Sequence, residues 1–171
     1  MIIEYIRTLY DYNTWANKHI LDTAAQLGAE RFVAKVGASF DSARDTLVHI
    51  MSSQWLWLSR WHGSSPRAVL SPADFPDLAV IRARWEPIED DTRAFVGGLA
   101  DAELGRVIEY VTTAGEPKAF PLWQLMAHQV NHATQHRSEV AVMLTQFGHS
   151  PGGLDFLRFL DLRKKTPGKG R

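Results

Sequence analysis

Apolar residues recur every three or four positions in four long stretches of this 171-residue chain, and this period constrains the fold more than any other feature. Such spacing places the apolar side chains along one face of an α-helix. Four long amphipathic helices indicate an all-α protein, a four-helix bundle. The stretches predict helices from about residue 3 to Leu27, from Ser42 to about His62, from about Leu78 to Leu99, and from Pro121 to about Phe147.

The spacing of the apolar residues changes before the last long helix. Residues 107–111 are β-prone, residues 118–120 could return as a second short strand, and Ala114-Gly115 between them is a turn signal. We therefore predict a small hairpin inserted there. Pro87 lies inside the third predicted helix and predicts a kink, or a junction between two shorter helices. A short helix is expected near Leu154–Leu162.

The composition excludes several classes of protein. The chain has no cysteine, which rules out a disulfide scaffold, a Cys-ligated zinc site and an iron–sulfur cluster. Apolar residues make up 45%, as in packed globular domains. The first residues lack the basic and then apolar pattern of a signal peptide, and no apolar run reaches the ~18 residues of a membrane span. We therefore expect a cytoplasmic protein with no membrane partner.

Charge is distributed unevenly, although the formal net charge is zero. Residues 163–171 carry five cations and no acid, which leaves residues 1–162 with a net charge of −5. An acidic body is a poor electrostatic partner for a polyphosphate. We predict one bundle domain over residues 1–162, a flexible basic C-terminal tail over residues 163–171, and no nucleic-acid partner.

The strongest chemical signal is a set of histidines four residues apart in HQVNHATQHR, within the fourth predicted helix. His128, His132 and His136 lie along one side, because a step of four residues turns only about 40° around the axis. Two histidines at i and i+4 can hold one metal ion from a single helix. Spacing leaves the pair 128/132 or 132/136 open. Burial favours 132/136, because His136 falls inside the apolar stripe.

Glu139 projects between His128 and His132 on the same helix. It could be a further ligand, an acceptor that orients an imidazole, a general base, or a rim carboxylate paired with a lysine or arginine. A two-histidine site needs at least one more protein ligand. His49 lies in the middle of the second predicted helix, although a projection places it away from that helix's apolar stripe. The other histidines lie near helix ends and are typical of cap or surface positions: His19, His62 and His149.

Three motifs, taken in order, resemble those of the DinB-like (DinB/YfiT) superfamily of metal-dependent enzymes. DYNTWANKHIL, residues 11–21, is similar to the Tyr-x-x-Trp-Ala-Asn pattern of the first helix. DTLVHI, residues 45–50, is similar to the Leu-x-His pattern of the second. HQVNHATQHR, residues 128–137, is similar to the Asn-His-x-x-x-His-Arg signature of the fourth. The hairpin and the closing QFGHSPGGLDF, residues 146–156, match in layout.

The resemblance implies a bundle with a non-sequential helix arrangement and one divalent metal ion, zinc or nickel, held by three histidines. Carried over to this sequence, the ligands are His49, His132 and His136, whereas His128 matches a family histidine that is usually not a ligand. Three neutral imidazoles leave coordination positions open for water or substrate, as in catalytic sites. The family commonly has Gly-Gln after the His-Arg pair, where this chain has Ser-Glu, ending at Glu139.

Characterised members of the wider superfamily include transferases and isomerases that use low-molecular-weight thiols. The resemblance therefore implies a metal-dependent, thiol-dependent transferase or a hydrolase that acts on an unidentified small molecule, and a homodimer. No catalytic side chain is identified, although Glu139 is the candidate proton acceptor. The alternative function is a non-catalytic, metal-stabilised homodimeric interaction module. Tryptophans are the candidates for pocket walls: Trp15, Trp55, Trp57, Trp61 and Trp123.

Overall fold

The computed structural model describes residues 2–37 and 39–165, most of which are helical. The helices are α1 (Ile2–Ala24), α2 (Ala29–Phe32), α3 (Ala43–Trp61), α4 (Leu78–Gly98), α5 (Leu122–Gln146) and α6 (Phe156–Lys165). Short 3-10 turns cover Pro72–Asp74 and Asp101–Glu103, and the antiparallel strands are β1 (Val107–Val111) and β2 (Pro117–Pro121). The predicted all-α fold with a hairpin before the last long helix is confirmed.

The four long helices form a bundle in which α1 and α3 each pack against both α4 and α5. The consecutive long helices α1 and α3 therefore lie diagonally across the bundle, which is the non-sequential arrangement that the resemblance implies. Apolar side chains fill the interior in two clusters, and the hairpin contributes to only one of them. The cluster near the hairpin includes Ile6, Trp61, Ile108 and Met126; the other includes Ile20, Leu47, Trp85 and Leu144.

Residues at the helix ends explain why the boundaries fall near the predicted positions. The Ser42 side chain accepts a hydrogen bond from the Asp45 backbone N–H at 3.2 Å and so caps the start of α3. Gly148 has a φ of +85° just after α5, a conformation that favours glycine at a helix end. Pro121, expected in the first turn of α5, is instead the last residue of β2 and directly precedes the helix.

Helix α1 ends at Ala24, three residues before its predicted end at Leu27. Three further details differ from the expectations. Helix α4 runs without interruption through Pro87, so the prediction of a junction between two shorter helices there is wrong. Pro87 is exposed, and water can serve the carbonyl that loses its partner. Helix α2 was not expected, because four residues are too few to show a helical period. Helix α6 continues three residues beyond the predicted boundary at residue 162, and residues 166–171 of the predicted tail lie outside the described residues.

Candidate metal centre

Two neighbouring helices bring three histidines together at one edge of the bundle. His49 comes from α3, and His132 and His136 come from α5; one nitrogen from each ring lies within 4.8 Å of the others. The Nε2 atoms of His49 and His132 are 3.0 Å apart. Two nitrogens at about 2.1 Å from a tetrahedral zinc ion would be roughly 3.4 Å apart. The three imidazoles therefore lie close enough together to hold one metal ion.

Burial along α5 follows the order that the sequence indicated. His136 is only 6% exposed, His132 is half-buried and His128 is exposed. The structure brings the pair 132/136 into the cluster and leaves His128 outside it, with its ring 5.2 Å from that of Trp57. His49 is half-buried. Its projection away from the apolar stripe of α3 agrees with a site at the edge of the core.

The electrostatics of the cluster keep two of the rings neutral. Burial lowers the pKa of His49 to about 4, with a further contribution from the nearby His136. Burial also lowers the pKa of His132 to about 4, and the neighbouring histidines add to this effect. Both rings are therefore neutral at pH 7, which is the form that binds a metal ion. His132 Nδ1 is buried and has no hydrogen-bond partner in the part of the chain that the structure describes.

Glu139 lies against the outer side of His136. Its Oε2 accepts a hydrogen bond from His136 Nδ1 at 3.0 Å, and its Oε1 accepts one from the Ser39 hydroxyl at 2.7 Å. Burial alone would raise the pKa of Glu139, but these hydrogen bonds and the neighbouring histidines hold it below its usual range. With its proton on Nδ1, His136 presents the Nε2 lone pair for coordination.

These contacts argue against two of the four roles that the sequence left open for Glu139, a further ligand and a partner of a lysine or arginine, while a general base stays a prediction. Its carboxylate is not part of the convergent set of nitrogens, and no lysine or arginine pairs with it within residues 2–37 and 39–165. The geometry is that of an acceptor that orients an imidazole, since the carboxylate bonds the ring nitrogen that faces away from the cluster.

Phe40 is a component of the site that sequence reasoning missed. Its ring stacks on His49 with 4.2 Å between centroids, and it meets His136 edge-on at 5.4 Å. It shields one side of two imidazoles from water. Phe40 lies in an irregular segment before α3, where no periodicity marks a side chain as buried. Phe40 lies one position before the residue that would form a hydrophobic staple with α3, so no local sequence signal marks it.

The remaining histidines lie away from the cluster, as expected from their positions near helix ends. His19 Nε2 is 2.7 Å from the Pro151 carbonyl oxygen. His62 follows the last residue of α3, and His149 Nδ1 is 3.2 Å from the Gln26 side-chain oxygen. None of these three histidines therefore contributes to the candidate metal centre.

The fold and the site together define a four-helix-bundle protein in which three convergent histidines could hold a metal ion. The family model of the DinB family matches residues 3–169, nearly the whole chain. The chain therefore belongs to the DinB family.

Individual proteins resemble this chain over most of its length. Protein DinB of Bacillus subtilis (strain 168) is 24% identical over 161 residues, which cover 91% of this chain and 94% of that protein. A crystal structure of a DinB-like protein from Bacillus cereus superimposes with a TM-score of 0.61 at 16% identity, covering 82% of this chain and 91% of that one.

A conserved protein from Enterococcus faecalis, also solved as a crystal structure, has a TM-score of 0.61 at 11% identity. The match covers 80% of this chain and 92% of that chain. At these identities the two solved structures support the fold alone. Within residues 2–37 and 39–165, none of the helices combines the length and the apolarity needed to cross a lipid bilayer.

Proposed function

We propose that this DinB-family chain is a metal-dependent enzyme, a transferase or hydrolase, that holds one zinc or nickel ion through His49, His132 and His136. The observation that carries the proposal is the convergence of three imidazole nitrogens within 4.8 Å at a half-buried edge of the bundle. Three protein ligands leave at least one coordination position for a small molecule. A site with this opening suits catalysis better than a fully closed structural site.

A divalent ion at this site would act as a Lewis acid and lower the pKa of a bound water or low-molecular-weight thiol. The chain's own residues prepare the site for that role. Burial keeps His49 and His132 neutral, and Glu139 holds the His136 proton on Nδ1. Phe40 excludes water from one side of the rings. The chain has no cysteine, so we propose that any thiol is supplied by a cosubstrate.

The compartment and the assembly are part of the same proposal. We place the enzyme in the cytoplasm, where low-molecular-weight thiols are kept reduced. We propose that it acts as a homodimer on a small-molecule substrate, without nucleic acid or membrane as a partner.

The first test is the metal content of untagged protein, measured by mass spectrometry. We expect one zinc or nickel ion per chain in the wild type and none in a His49→Ala, His132→Ala, His136→Ala triple variant. His128→Ala is the matched control, because it removes a histidine from the same helix but outside the cluster, and it should keep the ion. A wild type that remains metal-free after reloading and dialysis would overturn the proposal.

The second test separates an enzyme from a metal-stabilised interaction module. If the metal ion is catalytic, its removal by a chelator should leave the melting temperature nearly unchanged, because the apolar clusters hold the bundle together. The metal-loaded protein should also consume thiol in the presence of an electrophile, or hydrolyse a test ester, and the triple variant should not. A large fall in melting temperature on chelation, with no turnover across a broad panel, would favour the interaction module instead.

A further inference from the structure

A groove lies between α3 and α4, on a different side of α3 from the candidate metal centre. Its volume is about 710 Å³, within the range of small-molecule sites. Trp55, which helps to line it, follows His49 by six residues, and this step places the two side chains about 120° apart around the helix axis. The groove is therefore separate from the three histidines. The lining includes Trp55, Ser59, Ser64, Asp91, Ala94 and Phe95.

Asp91 supplies the groove with a carboxylate that has no cation beside it. Among residues 2–37 and 39–165 its side chain makes neither an ion pair nor a hydrogen bond. The positions one turn away on α4, where a lysine or arginine could pair with it, are Pro87, Ile88, Ala94 and Phe95. Neither lysine nor arginine lines the groove in the part of the chain that the structure describes. The groove therefore carries one negative charge that its own walls do not neutralise.

Trp55 forms an aromatic wall of the same groove. Its indole is half-buried and packs in part on the apolar cluster away from the hairpin, which holds the ring in place. Within the described residues the indole contacts no other aromatic ring and no cation, and its N–H has no hydrogen-bond partner. Of the aromatic side chains, tryptophan attracts a cation most strongly. Trp55 and Asp91 are thus two unpartnered groups in one groove, and both favour a positive charge.

The other aromatic wall, Phe95, already has partners. Its ring stacks on that of Trp61 at 5.4 Å and meets the ring of His62 edge-on at 5.1 Å. The guanidinium of Arg106 lies 5.8 Å from its centre and donates to the Trp61 carbonyl oxygen at 3.4 Å. Arg106 is therefore held against Phe95 and forms no ion pair with Asp91.

Two serine hydroxyls add acceptors to the lining. Ser59 Oγ donates to the Trp55 carbonyl oxygen at 2.8 Å, so its lone pairs can still accept. The Ser64 hydroxyl makes no hydrogen bond within residues 2–37 and 39–165. Hydroxyl acceptors near a carboxylate suit a ligand group that donates several hydrogen bonds, as an ammonium does.

We propose that this groove binds a small organic ammonium with an apolar body, whose charge pairs with Asp91 and lies against the Trp55 indole. A metal ion fits less well, because one carboxylate and two hydroxyls are fewer oxygen ligands than calcium requires and magnesium prefers. An anion is disfavoured, because it would be repelled by Asp91. The proposal concerns a ligand other than the substrate at the three histidines, and it does not depend on the proposed function.

The test compares an amine with its uncharged analogue. We would titrate the wild-type protein at pH 7 with 2-phenylethylammonium and with 2-phenylethanol, followed by calorimetry and by tryptophan fluorescence. A hydrogen-bonded charged pair changes affinity about tenfold, so the amine should bind about ten times more tightly than the alcohol. Equal affinity for the two compounds, or no binding of the amine at millimolar concentration, would overturn the assignment.

A pair of neighbouring variants identifies the charge. Asp91→Asn should lower the affinity for the amine about tenfold and leave that for the alcohol unchanged. This variant should fold, because the side chain is exposed and unpaired among the described residues. Asp90→Asn is the matched control: it removes the same charge from the next position of α4, outside the groove, and should keep the preference. An equal effect of the two variants would indicate general attraction to an acidic surface and would overturn the role of Asp91.

A second pair of variants locates the ligand. Ala94 is exposed and lines the groove, so Ala94→Trp should block it and abolish binding of both compounds. Ala83→Trp is the control, since Ala83 is exposed on the same helix but does not line the groove, and it should change neither affinity. Wild-type affinity for the amine in the Ala94→Trp protein would show that the amine binds elsewhere.

One further arm excludes the metal centre, because an amine can also coordinate a metal ion. The His49→Ala, His132→Ala, His136→Ala triple variant should keep the wild-type preference for the amine, since the groove is intact. A folded triple variant that has lost this preference would place the amine at the histidines and overturn the proposal.

Discussion

Arg137 and Arg60 are both almost completely buried, yet the bundle surrounds them differently. Arg137, on α5, donates hydrogen bonds to the side-chain oxygens of Asn13 and Asn17 on α1 and to the Thr134 hydroxyl. Asn17 in turn donates to Glu89 on α4 at 2.8 Å, so a carboxylate balances the charge through one amide. Arg60 has two aromatic rings around it, and its Nε has no hydrogen-bond acceptor within residues 2–37 and 39–165.

The same difference separates two regions of the molecule. The polar layer around Arg137 joins α1, α4 and α5, and Asn13 Nδ2 is its one atom without a partner among those buried in the part of the chain that the structure describes. The face between α3 and α5 leaves polar atoms without partners among the described residues, including Arg60 Nε and His132 Nδ1. Buried polar groups are rarely left unpaired without a reason. The first region therefore mainly joins the helices of the fold, whereas the second contains the three histidines that could hold a metal ion.

The largest expected effect is on stability, from the polar layer. Arg137→Met should lower the free energy of unfolding by about 3 kcal/mol, because it leaves the side-chain oxygens of Asn13 and Asn17 buried without donors. Urea denaturation monitored by circular dichroism measures this. A loss below about 1 kcal/mol would show that the layer contributes no more than an ordinary surface contact, and would remove the contrast with Arg60.

The next effect concerns metal affinity. Glu139→Gln should weaken metal binding about 10- to 100-fold, because the carboxylate that orients His136 becomes a neutral amide. Competition with a chromogenic chelator gives the affinity. Ser39→Ala is the control, since it removes a hydrogen bond to Glu139 without touching His136, and it should have a smaller effect. Unchanged affinity in Glu139→Gln would contradict an orienting role.

A third effect depends on pH. His49 and His132 have pKa values of about 4 in the folded protein, against 6.5 for an ordinary histidine. The unfolded chain therefore binds more protons between these values, and stability falls as the pH is lowered from about 6.5 toward about 4. Metal-free protein should melt several degrees lower at pH 5 than at pH 7. A His49→Ala, His132→Ala double variant should show a smaller difference, and an equal one would contradict the assignment.

The smallest effect is expected from Arg60→Met. This change removes a buried charge that has no ion pair within residues 2–37 and 39–165 and replaces it with a flexible apolar side chain. The free energy of unfolding should therefore change by no more than about 1 kcal/mol, in either direction. The measurement is the same urea denaturation as for Arg137→Met, and the two variants form a matched pair. A loss as large as that of Arg137→Met would mean that Arg60 serves the fold.

Much of the fold could be predicted from the chain alone. The apolar period predicted the ends of the four long helices to within three residues, because each helix buries one face and the periodicity records it. The stop at Gly148 and the cap at Ser42 are local signals that need no distant partner. Pro87 shows the limit of such signals: whether a proline interrupts a helix depends on what its neighbouring carbonyl meets, which local sequence does not specify.

The candidate site was only partly predictable. The spacing of His132 and His136 on one helix pointed to a shared face, but the resemblance, and not the projection of α3, indicated His49. Phe40 was missed, and the burial of Arg60 was not predicted, because their neighbours come from distant parts of the chain. Arg60 is enclosed partly by Tyr110 on the hairpin, and burial of that kind leaves no periodic pattern around the arginine.

The sequence by itself determined the four long helices, the hairpin and the row of histidines four residues apart on α5, since these depend on spacing within a single element. The tertiary structure decided which helices are neighbours, and this placed His49 against His132 and Tyr110 over Arg60. It also decided which buried polar groups find partners, as Arg137 does and, among the residues that the structure describes, the Nε of Arg60 does not. The physical reason is that pairing and desolvation depend on distances between elements, and only the packing of the bundle fixes those distances.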